Sequence, residues 1–515
     1  MEENLENEHF DYIVLGTGLI ESILAGSLSR SGKKVLHLDS HQNYGGNWVV
    51  FGFRELVQWC LDQAQETTRP CIEENKIDYE NSYASNFRHV ELHIHAEQPV
   101  EDETMSLQPS SSSDQSLFDA FFKDQPNNIG KKQLFIDLLK HSRLYNLDST
   151  PKLLGSREDL VEALVRSGVG RYLEFKNVDD IYIFDKAKKA LEKVPSSKED
   201  VFTNKSVTLV EKRKLMKFLT FAMESNEQDP LLEGTEQMSF AQFLQDKFKM
   251  SDKLQEAIVY AIALVDQIAS VKVGLQTTQA FVKAMGRFGK GAYLCPLYGG
   301  ASEIAQAFCR MCAVYGGIYM LNQPLDHYLM EEGKCVGVTT TDGKQFKCDK
   351  LIADIDYLSP SWLPQEQALG TWISRAMIVT SKDVPTSIGY SVFPPGVCGN
   401  SEPIYGIHQN EESMACQKGQ YVTYLWTTSK EPFVLKEAAD LLTKDTIFTV
   451  FYEQYVRNAP EMTELPANVI PCSDPDVTLD FQSAVTEAKS LFYQCVDTSV
   501  EFMPAAEEQE DDDIL

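Results

Sequence analysis

The chain lacks a long hydrophobic run: nowhere do eighteen apolar residues follow one another, so no segment reads as a membrane-spanning helix. Its first eight residues are acidic, whereas a secretory leader would be basic and then apolar. Positive charge is short as well. Against 76 acids stand 47 lysines and arginines, and the net charge of -29 excludes nucleic acid and an anionic lipid surface as simple electrostatic partners while favouring a basic protein surface.

The signatures of catalysis are missing too. There is no G-x-S-x-G, no H-E-x-x-H, no phosphate-binding P-loop and no nucleophile beside a base. The nine histidines come nearest to a cluster at His37, His89, His93 and His95; His93 and His95 would share one face of a strand, and without carboxylate or cysteine company that pair reads as surface rather than a zinc site. The eleven cysteines are scattered, the close pair Cys309 and Cys312 reading as two positions on one buried helix face. Reduced thiols in a cytoplasmic protein, and no metal, are the expectation.

What is present begins at Phe10. Phe10-Asp11-Tyr12-Ile13-Val14-Leu15 reads as a buried strand, Gly16-Thr17-Gly18 as a glycine turn, the periodic run to Ser31 as a helix, and residues 34–39 as a second parallel strand ending in an acid. That is the layout of a dinucleotide-binding βαβ unit: Gly16 permits the turn, Gly18 admits a pyrophosphate, and Asp39 stands 21 residues after Gly18, where an acid holds a ribose. Glu21 contradicts the cofactor. It occupies the place of a third small residue, and a carboxylate in the first helical turn competes with phosphate for the same amides. The pattern alone leaves open both a bound FAD or NAD and a scaffold that keeps the fold without the cofactor.

Beyond this unit the chain reads as α/β, an FAD-binding-like domain of several sheets with an inserted α-helical domain. The expected division is a discontinuous first domain at 1–196 and 287–500 with a flexible polar insertion at 97–116, a helical domain at 197–286 and an acidic tail at 501–515. Strands are expected at 132–139, 143–147, 172–176 and 181–184, with a helix at 157–166. From 198 to 286 the apolar period is helical, through Leu215, Phe218, Leu219 and Ala222, then Phe240, Phe243 and Phe248, then Ile258, Ile262 and Val265. Such faces either pack on each other or leave a groove between them. A helix over 301–315 puts Glu303, Gln306 and Arg310 at i, i+3 and i+7, on one face, and the strand after Gly317 sends Ile318 and Met320 to one side. The stripe is either a solvated face or, with Tyr44 and the apolar pair, the centre of a protein interface.

These motifs also carry a resemblance. Leu15-Gly16-Thr17-Gly18-Leu19-Ile20-Glu21-Ser22, Tyr44-Gly45-Gly46, Arg171-Tyr172-Leu173-Glu174-Phe175-Lys176, Glu211-Lys212-Arg213, Pro296-Leu297-Tyr298-Gly299 and Tyr315-Gly316-Gly317-Ile318-Tyr319 resemble the conserved regions of the Rab GDP dissociation inhibitor and Rab escort protein superfamily. Gly45-Gly46-Asn47-Trp48, Phe175-Lys176-Asn177-Val178, Met216-Lys217-Phe218-Leu219-Thr220-Phe221, residues 308–314 and the polar insertion look like its escort branch. The resemblance implies a flavoprotein-like domain without working FAD, hence no cofactor and no catalytic residue, with Gly16, Gly18 and Asp39 as vestiges. It implies binding of GDP-form Rab GTPases, their presentation to the alpha/beta heterodimer of Rab geranylgeranyltransferase, and delivery of the geranylgeranylated product through a transient membrane contact. Rab-binding positions are implied at Tyr44, Glu303, Gln306, Arg310, Ile318 and Met320, and lipid or transferase docking in the helical domain, with Phe218, Phe240 and Phe243 as candidates. Two departures stand out: residues 239–286 hold no arginine for the basic transferase contact, and the loop at 299–306 is one residue longer than usual and lacks its proline. The alternatives are a recycling GDP dissociation inhibitor without transferase affinity and a flavin-dependent amine oxidase of the same fold.

Overall fold

The computed structural model describes residues 8–64, 69–72, 77–83, 86–96, 109, 111–123, 125, 128–195, 208–226, 228–363, 370–382, 387–431, 433–442, 445–459 and 465–505. Most of the polar insertion, 97–108, and the last residues of the acidic tail, 506–515, therefore lie outside the described residues.

The mixed α/β fold is built on two large sheets. In the first, His9–Leu15 pairs in parallel with Val35–Leu38 on one side and Gln345–Asp354 on the other, with the helix Leu19–Arg30 between the first two strands. The seven-stranded order runs Ile318–Met320, Val35–Leu38, His9–Leu15, Gln345–Asp354, Lys334–Thr340, Leu325–Glu331, and Val469–Cys472 pairs in parallel with the end of Gln345–Asp354. Both faces are covered, which is why Ile13-Val14-Leu15 is apolar throughout instead of alternating. On one face Val14 and Ile352 meet Ile23, Phe308 and Val485, from the helices Leu19–Arg30, Gly300–Val314 and Gln482–Cys495. On the other, Ile13 and Leu351 meet Tyr328 and Trp362.

The second sheet has eight strands in the order Ala190–Lys193, Asp180–Asp185, Gly389–Phe393, Ile404–Asn410, Tyr421–Thr427, Gly370–Thr380, Thr446–Arg457, Phe87–Ile94. One face packs Ile378 and Phe393 under the helix Val434–Leu442. The other belongs to the largest core, which runs without a break from Met377 and Tyr390 into Phe218, Phe240 and Ile258 of the helical segment. That segment comprises Leu209–Glu224, Phe240–Phe248, Asp252–Glu256 with the π-turn Ala257–Ile262, and Val271–Ala284. Its helices are consecutive in sequence but share their core with the sheet.

Four local expectations are corrected. Residues 132–139 form not a strand but the helix Ile129–Lys140, started by the Asn128 side chain accepting from the Lys131 amide and burying Phe135, Leu138 and Leu139 at helical spacing. The 143–147 strand is a short 3-10 turn, Ser142–Leu144, followed by Leu147–Asp148. The 172–176 strand begins only at Phe175, because Val169–Tyr172 is a 3-10 turn. The end of the polar insertion is helical, Ser112–Phe122, capped by Ser111 on the Asp114 amide.

Candidate functional site

Two places at the edge of the first sheet compete for the functional role. The first is the glycine turn where a dinucleotide would lie. Gly16 takes a left-handed φ of +96°, and a Cβ there would meet Asp354 at 3.0 Å and Tyr357 at 3.3 Å, so protein already closes over the turn. Glu21 folds back so that a Cβ on Gly18 would lie 2.3 Å from its Oε2. Its carboxyl is fully buried and Oε1 has no partner; burial, reinforced by Asp354, raises its pKa well above the ordinary glutamate value, and the side chain occupies the place a phosphate would take.

Asp39 is equally engaged. It accepts from the Thr17 amide at 2.8 Å and hydroxyl at 2.6 Å, from the Tyr357 hydroxyl at 3.0 Å, and from the amide and ring Nδ1 of His41, both at 2.8 Å. Burial opposes its charge, yet His41 and Thr17 hold its pKa below the usual range. The Gly45 amide closes the loop above by donating to Thr17. A ribose would find no free lone pair on Asp39, and a pyrophosphate would find Glu21. These residues do not fit FAD or NAD. Among the described residues no group of histidine, cysteine and acid side chains could hold a metal.

The second place is the outer face of Gly300–Val314. Two glycines start this helix, and each is required by its neighbours. A Cβ on Gly299, φ +113°, would meet Val50 at 2.5 Å, and one on Gly300 would meet Asp148 Oδ2 at 2.2 Å. Burial raises the Asp148 pKa to about 7. Residues 300–306 are thus helical rather than loop, and Glu303, Gln306 and Arg310 share one face, Glu303 half-buried and the other two exposed. Burial alone raises the Glu303 pKa.

Tyr44 sits beside this first turn, its carbonyl accepting from the Ser302 hydroxyl at 3.3 Å. Its ring lies 6.1 Å from that of Tyr319, and burial, with the Tyr319 hydroxyl, pushes its pKa above the tyrosine range. The Arg310 guanidinium lies 4.1 Å from the centre of the Tyr172 ring.

Ile318 and Met320 do share a side, and it is the sheet face opposite the stripe helix, where both stay half-buried. Both pack on the core beneath the sheet with Leu325 and Tyr328, and the residue between them, Tyr319, faces outward. The docking candidates Phe240 and Phe243 have no exposure, being held against Phe218, Phe221 and Phe248. Phe218 is likewise fully buried. An apolar helical period marks a face that must be covered, and here the protein itself covers it. Two residues join the candidates only in the structure: Tyr319, which strand alternation could have supplied, and Tyr172, which the sequence offers inside the motif at 171–176 just after the helix-ending Gly168.

A family model described as GDP dissociation inhibitor matches residues 6–77 and 103–507. The human Rab proteins geranylgeranyltransferase component A 2 is 30% identical over 99% of this chain and 94% of its own length. Guanosine nucleotide diphosphate dissociation inhibitor 2 of Arabidopsis thaliana is 28% identical over 94% of this chain and 95% of its own. The solved Rab GDI of Plasmodium falciparum shares the fold, with a TM-score of 0.65 and 21% identity over 94% of this chain and 98% of that one.

Proposed function

The chain belongs to the GDP dissociation inhibitor family, and from that premise we propose that it is a cytoplasmic escort for Rab GTPases. It holds a newly made Rab in the GDP form, presents it to the alpha/beta heterodimer of Rab geranylgeranyltransferase, and passes the prenylated product to a membrane in a transient contact. It takes no catalytic step of its own. The observation that carries this reading is the contrast at the sheet edge: the nucleotide position is filled by Glu21, Asp39 and Tyr357, whereas Arg310 stands exposed with neither hydrogen bond nor ion pair among the described residues. Tyr44, Tyr319, Glu303, Gln306 and Arg310 supply both signs of charge and two aromatics, the mixture of an interface centre.

The lipid is assigned to the two clefts that flank Val271–Ala284. One, of about 690 Å³, is lined by Ala222, Leu232, Val271 and Leu275; the other, of about 750 Å³, by Leu264, Ala280, Phe281, Tyr293 and Leu479. Each buried methylene of a prenyl chain contributes about 0.8 kcal/mol there. Among the described residues no helix is long and apolar enough to cross a membrane. Likeness to the Arabidopsis dissociation inhibitor favours a second reading, recycling of prenylated Rab without transferase affinity.

The test is incorporation of geranylgeranyl into purified GDP-bound Rab by the transferase, with and without this protein. Incorporation that requires the protein supports the escort. Extraction of prenylated Rab from membranes without stimulated incorporation would move the assignment to the recycling inhibitor.

A further inference from the structure

We propose that Tyr172 is a positioning residue for Arg310, its ring holding the guanidinium in the plane in which it meets an acceptor on the Rab surface. The proposal rests on the assignment of the stripe as the Rab-binding face and names a residue that assignment did not include. The first step is how Tyr172 is placed. The helix Asp159–Ser167 ends at Gly168, whose φ of +75° reverses the chain into the turn Val169–Tyr172. Val169 is buried and anchors that turn to the core of the first sheet. Arg30, at the end of the first helix, donates to the Ser167 carbonyl at 2.9 Å and lies 5.1 Å from the Tyr315 ring. The turn is therefore tied to the same helix end that carries Arg310, and Tyr172 projects from a fixed base while half of its own surface stays in solvent.

The second step is what the contact does. At 4.1 Å from the ring centre the guanidinium is within cation–π distance. Such a contact uses the face of the group, and the N–H donors of a guanidinium lie in its plane. Among the described residues none accepts a hydrogen bond from Arg310 and none pairs with its charge, the Tyr172 ring being the one partner of its guanidinium. An arginine in that state has lost side-chain freedom before the partner arrives while keeping its in-plane fork for a carboxylate or a pair of carbonyls. Ordering a long side chain at binding carries an entropic cost, and Tyr172 moves part of that cost into folding.

The experiment is titration of GDP-loaded Rab against wild type, Tyr172→Ala, Tyr172→Leu, Tyr172→Phe, Arg310→Ala and the double variant Tyr172→Ala/Arg310→Ala, each checked for an unchanged melting curve. Tyr172→Ala and Tyr172→Leu are expected to weaken binding about 2- to 5-fold, because neither leaves a ring face, and Tyr172→Phe to bind as wild type. In the Arg310→Ala background Tyr172→Ala should cost nothing further. An equal loss in both backgrounds would overturn the proposal by making Tyr172 an independent contact, and an inert Tyr172→Ala beside a weakened Arg310→Ala would overturn it while leaving the platform intact. Unchanged binding by Arg310→Ala would instead overturn the platform itself, and this proposal with it.

Discussion

The glycine turn and the stripe helix are neighbours built in opposite ways. Leu19–Arg30 packs along Gly300–Val314 closely enough that a Cβ on Gly26 would lie 2.6 Å from Met311. On the turn side of that contact the strong polar groups are turned inward: Asp39 receives five hydrogen bonds from Thr17, His41 and Tyr357, and Glu21 is fully buried, with burial raising its pKa. On the stripe side Gln306 and Arg310 face solvent, the Arg310 guanidinium resting 4.1 Å from the centre of the Tyr172 ring. The turn keeps the shape of a nucleotide motif with its groups turned inward, whereas the stripe keeps donors and acceptors open to solvent, and it is on that difference that the proposed Rab-binding face rests.

The largest effect that would sharpen this contrast is on the sealed side. Tyr357 is buried over Gly16 and bonds to both Asp39 and the Ser40 amide. Tyr357→Ala removes that plug and should cost about 3–5 kcal/mol of stability in denaturant unfolding, while Rab affinity, measured where the variant is folded, stays at the wild-type value. A matching fall in affinity would mean that the turn and the stripe act as one site.

A smaller effect concerns pH. Glu21 has a raised pKa when folded, so between the ordinary glutamate value and that raised value the folded protein holds a proton that the unfolded chain has released, and stability falls as pH rises through the window. Glu21→Gln has no such proton to lose. Its melting temperature should therefore decline less steeply than that of wild type from pH 5 to pH 8, the gap widening with pH. Asp354 and Glu487, raised by the same burial, keep part of the slope in both proteins. Parallel profiles would show that Glu21 is ionised in the fold and that the phosphate position is not filled as described.

The βαβ unit was legible because a strand, a glycine turn and a second strand ending in acid leave few other arrangements, and Glu21 could be read as the misfit by charge alone. The stripe was legible because 3.6-residue spacing fixes a shared face. Other features were not, for physical reasons that differ. Leu134-Phe135-Ile136 and Leu138-Leu139 make a short apolar run that suits a buried strand as well as a helix, and the choice is made by the Asn128 cap. Phe240 and Phe243 have the period of a covered face, which sequence cannot assign to the protein's own core or to a partner's. A Cβ on Gly274 would lie 2.2 Å from the Phe240 ring, a close approach that settles the matter in three dimensions only. Tyr172 lies 138 positions from Arg310, and no local pattern announces their contact.

The central claim, that an open stripe rather than the old nucleotide pocket does the binding, is tested most directly by titrating GDP-bound Rab against wild type and Arg310→Ala with the melting temperature as control. The account predicts a loss of roughly 2–4 kcal/mol of binding, about 30- to 1,000-fold in affinity, at unchanged melting temperature, because an exposed charge contributes little to folding. Unchanged affinity at unchanged stability would contradict it.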